Sequence, residues 1–260
     1  MMSVAKEHDV KELVEDSSGN AGASVSAYSA RAGVKAHVFV PSTAPVAKIQ
    51  QIEIYGACVH KISGTREETT KEAIKFYNEF SFVYASHSLS PYFIEGTKSF
   101  AAELSEQFGD DLPGDVVMPV GNGSLFIGSW KGFTDLNAQR RLKEIPKIHA
   151  VQSIAAMSLV AAYNGEEWTP SGERTLAGGI ASVTPPRKME MLRVLQETRG
   201  AAVAVDDQSI FAWQLFLAQK EGLHVELTSA AVFAGLALLV EQQIIHSEST
   251  VLIPLTGSGL

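Results

Sequence analysis

The 260-residue chain has 45% hydrophobic and 19% charged residues, an ordinary composition for a globular protein of one or two domains. Its formal net charge of −8 at pH 7 argues against a nucleic-acid-binding surface, which needs clustered lysine and arginine. The single cysteine, Cys58, excludes an internal disulfide and favours a reducing compartment such as the cytoplasm. The longest apolar run, 230–240, is about half a membrane span, and no apolar signal opens the chain.

Strand-like and helix-like patterns alternate along the chain. The predicted strands are 11–15, 34–40, 58–62, 82–86, 115–120, 147–153, 201–205 and 251–256. The predicted helices are 20–32, 44–56, 66–80, 95–109, 187–199, 208–221 and 229–245. Apolar strands separated by helices predict an α/β protein with parallel sheets covered on both faces.

The first loop with ligand-binding chemistry is Ser17-Ser18-Gly19-Asn20, between a predicted strand and a predicted helix. Backbone N–H groups at a helix start favour an anion such as a carboxylate or phosphate, and the hydroxyl groups add hydrogen bonds. A helix cap formed by serine or asparagine explains the same residues. The sequence leaves both interpretations open.

Two further loops follow apolar strands. The segment 121–125 suits a phosphate cradle, because its glycines free the backbone and a hydroxyl follows; a tight turn is the alternative. It consists of Gly121, Asn122, Gly123, Ser124 and Leu125, and it is neither a Walker A loop nor a complete GxGxxG motif. The segment 254–259 offers the hydroxyl groups of Thr256 and Ser258, or forms a simple C-terminal turn.

In this order, five segments resemble the fold-type II pyridoxal-phosphate enzymes, and in particular their threonine synthase-like branch. The segments are EDSSGNAGASVSAYSARAG, YFIEGTKSFAAEL, MPVGNGSLFIG, VELTSAAVFAGLALL and LIPLTGSGL. The resemblance implies two three-layer αβα domains with mostly parallel sheets and a cofactor cleft between them. It also implies pyridoxal 5'-phosphate as cofactor, a small amino-acid substrate, and elimination or replacement at the β or γ carbon. Threonine synthase, which converts O-phosphohomoserine to threonine, is the nearest activity. Members of the family are commonly dimers, and the sequence identifies no interface.

The resemblance also assigns roles to residues. Ser17, Ser18, Gly19 and Asn20 would bind the substrate carboxylate, with Asn20 also near the cofactor. The cofactor phosphate would be held by Gly121, Asn122, Gly123, Ser124 and Leu125. Thr256 would hydrogen-bond the pyridine nitrogen, and its neutral hydroxyl favours β- and γ-carbon chemistry. Glu226 lies in a block near the ring, although this chain has Leu227 where the family usually has proline.

Relatives hold the cofactor as a Schiff base through a lysine in a segment resembling Ser-x-Lys-Asp-Arg. We expect that lysine to lie N-terminal to Met1, so the sequence predicts a truncated form with no catalytic residue of its own. The predicted domains are a remnant helix and strand (1–16), a small substrate-loop domain (17–88) and a large phosphate-loop domain (89–260). Alternatives are an inactive cofactor- or amino-acid-binding homologue, a serine or threonine dehydratase-like enzyme, or a bare phosphate-binding module.

Other residues with reactive side chains have ordinary interpretations. Lys6 and Lys11 are interpreted as surface lysines, and His87 as a loop residue that makes hydrogen bonds. The seven histidines show no metal-binding spacing, so the sequence predicts no metal site. No GxSxG motif supports serine hydrolysis.

Overall fold

The computed structural model describes residues 1–259 and divides them into two compact units, Met1–Gly96 and Thr97–Gly259. Each unit contains a four-stranded sheet in which every described strand pairing is parallel. Helices separate the strands along the chain. The predicted α/β class with parallel sheets is therefore confirmed.

Unit 1 alternates helices and strands in the predicted manner. Its elements are α1 (Met2–Glu7), β1 (Glu12–Glu15), α2 (Asn20–Ala32), β2 (Lys35–Pro41), α3 (Val46–Glu53), β3 (Cys58–Ile62), α4 (Arg66–Phe80), β4 (Val83–Tyr84) and α5 (Pro91–Thr97). The strand order is β3-β2-β1-β4. The first strand of this unit thus lies inside the sheet, with the second strand on one side and the fourth on the other.

The sheet of unit 1 buries residues on both faces, since successive strand residues point to opposite sides. Leu13 and Val38 pack in one cluster with residues of α2 and α3, such as Ile52. Val14 and Phe39, one position further along, pack in a second cluster with α4. This two-sided burial is why the strands are apolar throughout and do not alternate with polar residues.

Unit 2 repeats the same strand order with a longer set of helices. Its elements are α6 (Ser99–Phe108), β5 (Asp115–Pro119), α7 (Ser124–Ala138), β6 (Lys147–Ser153), α8 (Ser158–Asn164), α9 (Lys188–Thr198), β7 (Ala202–Val205), α10 (Asp207–Phe216), α11 (Leu227–Glu241) and β8 (Val251–Leu252). The strand order is β7-β6-β5-β8. Val117 and Val151 pack in the cluster that includes α11. Val116 and Ile148, on the opposite face, are also fully buried.

Several predicted elements have other bounds in the structure; for example, the strand predicted at 82–86 is reduced to Val83–Tyr84. Three further differences are larger or change the type of element. The strand predicted at 251–256 ends at Leu252, because Pro254 has no N–H group and the Thr256 N–H group is donated to Ser229 Oγ. The helix predicted at 95–109 is two helices, α5 and α6, which meet at Lys98. The helix predicted at 208–221 ends as α10 at Phe216 and continues as a π-helix over Leu217–Glu221.

Among residues 1–259, no helix is both long enough and apolar enough to cross a membrane. The apolar run 230–240 lies within α11, where Ala230, Ala231, Val232, Ala234 and Leu239 are buried in the core of unit 2. Its apolar character is explained by burial against the sheet, as the sequence predicts.

Candidate functional site

The strand order gives each sheet one place suited to a ligand. In open parallel sheets, ligands bind beyond the carboxyl ends of the strands where the strand order reverses direction. In unit 1 that reversal occurs at β1, and in unit 2 it occurs at β5. The segment Ser17–Asn20 follows β1 and the segment Gly121–Leu125 follows β5. Two of the three loops that the sequence singles out therefore lie at the reversal points.

The loop after β5 needs glycine at two positions. A Cβ atom on Gly121 would lie 2.3 Å from the Gly179 carbonyl oxygen, so only glycine fits without moving backbone. Gly123 has φ +82°, and a Cβ atom there would lie 2.3 Å from Met191 Sδ. The two glycines therefore allow close backbone approach and a left-handed turn into the next helix.

That next helix, α7, begins at Ser124 with Gly123 as its N-cap, and no side chain caps this end. The first N–H groups of a helix have no acceptor within the helix, and the helix dipole adds positive potential. The Thr97 hydroxyl donates to the Ser124 carbonyl oxygen at 3.0 Å and holds the helix start in place. The start of this 15-residue helix is suited to an anionic group.

A segment that the sequence did not identify packs against this loop. Ser182 donates from Oγ to Asn122 Oδ1 at 2.7 Å. Gly179 donates its N–H group to Thr228 Oγ1 at 3.0 Å, and its carbonyl is the group that faces Gly121. Residues 178–182 thus connect the phosphate-type loop to the start of α11. No local motif marks them, because their role depends on contacts with residues about 50 to 60 positions away.

Thr256 lies in a hydrogen-bond network at the start of α11. Its N–H group donates to Ser229 Oγ at 2.9 Å, and its hydroxyl oxygen is 3.0 Å from the same atom. The Thr256 hydroxyl also donates to Glu226 Oε1 at 3.1 Å. Glu226 is the N-cap of α11 and Leu227 is its first residue, a position where proline is favoured. With leucine at this position the helix still begins directly after Glu226.

In unit 1, the turn after β1 packs tightly on α2. The N-cap of α2 is Gly19, and its N–H group donates to Ser17 Oγ at 3.2 Å. A Cβ atom on Gly22 would lie 2.0 Å from the Ser17 carbonyl oxygen. Since neither serine nor asparagine occupies the N-cap, the helix-cap interpretation of this loop is wrong. Small residues in α2 serve close packing under the turn.

Buried ionisable groups lie immediately before this turn. Glu15 and Asp16 are 0% and 2% exposed, and His87 Nδ1 lies 2.6 Å from Glu15 Oε1. Burial raises the pKa of Glu15 above its usual value, and the hydrogen bond to His87 only partly opposes this. The interpretation of His87 as a hydrogen-bonding loop residue is confirmed. Lys6 and Lys11, interpreted as surface lysines, are both exposed.

The predicted site residues lie in two different units. Unit 2 holds Gly121–Leu125 and Thr256, connected through Gly179, Thr228 and Ser229. Unit 1 holds Ser17–Asn20.

Two parallel α/β units with glycine- and hydroxyl-containing loops at their reversal points define a class of proteins that bind anionic small molecules. The sequence profile described as "Pyridoxal-phosphate dependent enzyme" matches residues 1–257, and the chain belongs to that family. Pyridoxal phosphate is the cofactor of the family, as the sequence predicts.

Known relatives agree with this assignment. The chain is 33% identical over 248 residues to the threonine synthase of Methanocaldococcus jannaschii, covering 94% of this chain and 61% of that protein. It is 30% identical over 254 residues to the threonine synthase of Mycobacterium tuberculosis, covering 97% of this chain and 69% of that protein. The chain therefore spans between three fifths and seven tenths of the length of these two relatives.

Solved structures share the fold. A pyridoxal 5'-phosphate-dependent aspartate racemase superposes with a TM-score of 0.82 at 26% identity, covering 100% of this chain and 78% of that chain. Threonine deaminase isoform 2 from Solanum lycopersicum superposes with a TM-score of 0.81 at 24% identity, covering 98% of this chain and 67% of that chain. The predicted fold-type II architecture is confirmed at the level of the fold.

The residues of unit 2 fit the cofactor's phosphate. A dianion needs several N–H donors and a backbone that it can approach closely, and the Gly121–Leu125 loop provides both at the start of α7. The hydroxyl of Thr256, held by Ser229 and Glu226, is a neutral polar group of the kind that can face a ring nitrogen.

Proposed function

We propose that the chain acts on amino acids with pyridoxal phosphate, by elimination or replacement at the β or γ carbon, in amino-acid biosynthesis. The conversion of O-phosphohomoserine to threonine is the first reaction to test, given the named activity of its relatives. One observation carries the proposal. The loops with anion-binding chemistry follow β1 and β5, the two strands at which the sheet order reverses.

Within unit 2, the Gly121–Leu125 loop would hold the cofactor phosphate. Backbone N–H groups at the start of α7 supply donors, and the Ser124 hydroxyl adds one more. Thr256 would face the pyridine nitrogen. Its hydroxyl donates to Glu226 Oε1 and lies 3.0 Å from Ser229 Oγ. A hydroxyl has one proton, so Thr256 would turn that proton from Glu226 to the ring nitrogen when the cofactor binds. The contact would orient the cofactor without placing a formal charge on Thr256.

Within unit 1, Ser17, Ser18, Gly19 and Asn20 would bind the substrate carboxylate. The N-cap glycine lets an anion approach the first N–H groups of α2, and the hydroxyl groups supply further donors. The close approach of the Ser17 carbonyl to Gly22 fixes the distance between the turn and α2. The turn is therefore preorganised, which lowers the entropic cost of binding.

When bound, pyridoxal phosphate supplies an electron sink that stabilises negative charge at the α carbon of the amino acid. The part of this chain is to bind, orient and exclude water. A neutral Thr256 favours departure of a leaving group from the β or γ carbon over other outcomes of the same chemistry. A phosphate or hydroxyl leaving group matches the two activities considered, synthase-like replacement and dehydratase-like elimination.

A second function is binding of the cofactor or of an amino acid without turnover. The two loops would serve such a binding protein as well as they would serve an enzyme. Turnover and binding must therefore be measured separately.

The deciding experiment measures cofactor binding first, by equilibrium dialysis against pyridoxal phosphate and, as a control, pyridoxal without phosphate. Ser124→Ala should weaken the binding of pyridoxal phosphate. Ser129→Ala is the matched control, because Ser129 lies in the same helix and donates to the Leu125 carbonyl oxygen at 2.8 Å. Equal affinity for both ligands would contradict a phosphate-binding loop.

Turnover is then tested with O-phosphohomoserine, serine and threonine. Release of phosphate together with threonine supports the synthase reaction, and 2-oxo acid formation supports the dehydratase-like alternative. Cofactor binding without any product supports the binding function. Failure of the chain to bind the cofactor would overturn both the enzymatic function and the binding function.

We also propose a cytoplasmic location and a homodimer. The single cysteine supports the reducing compartment. Exposed apolar side chains on α10, including Phe211 and Leu215 at 56% and 47% exposure, are candidates for an interface. Sedimentation of the full chain measures the oligomeric state.

A further inference from the structure

Beside the proposed carboxylate loop, unit 1 contains a buried group of three potential metal ligands. Glu15 is the last residue of β1, Asp16 follows it, and His87 lies shortly after β4. β1 and β4 are neighbours in the sheet, paired at Leu13↔Val83. Parallel pairing therefore brings the residues that follow both strands to the same edge. Each of the three side chains offers one ligand atom, and these atoms lie within 4.8 Å of one another.

Two carboxylate oxygens in this group are buried without a hydrogen-bond partner among the described residues. They are Glu15 Oε2 and Asp16 Oδ1. Glu15 is fully buried and Asp16 is 2% exposed. An unpartnered buried carboxylate oxygen is costly, since it has lost its water and gained nothing in exchange. The Tyr84 hydroxyl also lies beside the Asp16 carboxylate. A cation bound next to the imidazole would satisfy both oxygens.

The remaining oxygens are already occupied in a way that supports a ligand role. Asp16 Oδ2 accepts from Thr70 Oγ1 at 2.7 Å and pairs with Arg66 at 3.0 Å. Glu15 Oε1 lies 2.6 Å from His87 Nδ1. The contacts of Asp16 with Thr70 and Arg66 come from outside the group and are of the kind that commonly orient metal-binding carboxylates.

We propose that Glu15, Asp16 and His87 form a binding site for a divalent transition-metal ion. Two carboxylates with one imidazole suit Mn²⁺ or Zn²⁺ better than Mg²⁺ or Ca²⁺, which prefer oxygen ligands alone. Donors around such an ion are about 3.0–4.2 Å apart, given metal–ligand distances of about 2.1 Å. The three ligand atoms lie within 4.8 Å of one another, so they would move closer together when the ion binds. The bound ion would fix the end of β1, from which the Ser17 turn departs.

The sequence predicts no metal site, because its histidines lack the usual spacing. Glu15 and His87 are 72 positions apart in the chain, and only the sheet pairing brings them together. The adjacent acidic pair is the one local signal, and it does not indicate which histidine joins it.

The test titrates the full chain, stripped of metal by dialysis against a chelator, with Mn²⁺ alone. The electron paramagnetic resonance signal of free Mn²⁺ reports binding. We expect one Mn²⁺ per chain, displaced by Zn²⁺. A chain that binds no Mn²⁺ at stoichiometric level would overturn the site, and the buried oxygens would then be satisfied by a proton or by water.

Variants establish where the ion binds. Glu15→Gln and Asp16→Asn keep the size of the side chains and remove a charged ligand, so Mn²⁺ affinity should fall by about tenfold or more. Glu12→Gln is the matched control, because Glu12 Oε2 forms a similar pair with His37 Nε2 at 2.8 Å on the same sheet. The Mn²⁺ affinity of Glu12→Gln should equal that of the unmodified chain.

Equal affinity in Glu15→Gln and in the unmodified chain would refute the assignment. An equal loss in Glu12→Gln would refute it as well. If the Glu15 and Asp16 variants do not fold, as judged by circular dichroism, His87→Gln gives the same readout from a less buried position. Pyridoxal phosphate binding measured in parallel keeps this result distinct from that of the proposed function.

Discussion

At the scale of single residues, Gly121 and Gly178 differ in the free space around them, although both lie near the same loop. A Cβ atom on Gly121 would meet the Gly179 carbonyl oxygen at 2.3 Å, whereas one on Gly178 would meet nothing within 4 Å. Backbone faces backbone at Gly121, so no flexible side chain can move aside. The first glycine is required by packing, and the second is not.

We therefore predict that Gly121→Ala lowers the free energy of unfolding by about 1–3 kcal/mol, the usual cost of overpacking. Pyridoxal phosphate affinity should fall by about tenfold or more, because the displaced loop would lose about 1.4 kcal/mol or more of binding free energy, and 1.4 kcal/mol corresponds to tenfold in Kd. Gly178→Ala is the control and should change both quantities little. Denaturant unfolding and equilibrium dialysis measure them, and similar effects of the two variants would contradict the prediction.

His149 gives a prediction about pH. It is fully buried, its Nε2 lies 2.9 Å from Asp115 Oδ1, and its Nδ1 accepts the Ala201 N–H group at 3.1 Å. Burial lowers the pKa of His149 below the usual 6.5, and the hydrogen bond to Asp115 only partly opposes this. Below pH 6.5 the unfolded chain therefore binds more protons at this residue than the folded chain does.

Stability contributed by a neutral His149 is complete above pH 6.5 and is lost as the pH falls below that value. We expect His149→Gln to lose less stability between pH 7 and pH 5 than the unmodified chain, by at most about 1.4 kcal/mol per pH unit. His8→Gln, at an exposed position, is the control for replacing a histidine by glutamine. Urea unfolding at a series of pH values tests this, and parallel profiles for His149→Gln and the unmodified chain would count against it.

At the scale of elements, α2 is shaped by its contact with the turn that precedes it. Gly22 is buried, and its missing side chain leaves room for the Ser17 carbonyl. Glycine in a helix interior usually costs about 1 kcal/mol relative to alanine. This cost is offset by packing, because only glycine at position 22 lets the turn lie so close to the helix.

Gly22→Ala should therefore destabilise the protein despite the better helix propensity of alanine. A Cβ atom 2.0 Å from the Ser17 carbonyl oxygen must displace the turn, at a cost of about 1–3 kcal/mol. Ser24→Ala, at an exposed position of the same helix, improves propensity without a clash and should be neutral or slightly stabilising. Thermal melts of both variants measure the difference, and a higher Tm for Gly22→Ala would show that the turn moves at no cost.

The elements that could be predicted from the sequence are those with continuous local patterns. The bounds of β3, β6, α2 and α4 agree with the predicted ones, because apolar strands and helix periodicity are properties of neighbouring residues. Predictions fail where a residue distant in sequence determines the local structure. Thr256 is an example, because its N–H group donates to Ser229 Oγ and is therefore not available for strand pairing. The loop 121–125 is recognisable from its glycines. Its supporting segment 178–182 is not, since the Ser182–Asn122 hydrogen bond joins residues 60 positions apart.

At the scale of the whole molecule, the two units share one topology without a visible repeat in the sequence. Each sheet places its first strand inside, followed outward by the second and third, with the fourth on the other side. The alternation of strands and helices predicts parallel sheets but not this order. The order decides function, because it places the loops after β1 and β5 at the two reversal points.

Two ligands should therefore protect mainly different units from amide hydrogen exchange, with Asn20 the one residue of unit 1 expected to respond to both. Pyridoxal phosphate should slow exchange in unit 2, at the start of α7, at 226–229 and around Thr256, because these segments hold its phosphate and ring in the proposed arrangement. An amino-acid substrate should slow exchange at 17–25 in unit 1. Ligand that binds only the folded state stabilises by mass action, about 2.7 kcal/mol at a concentration 100 times Kd. Exchange measured by mass spectrometry with pyridoxal as control resolves the two patterns. Protection of unit 1 alone by pyridoxal phosphate would show that the loop after β5 does not hold the phosphate.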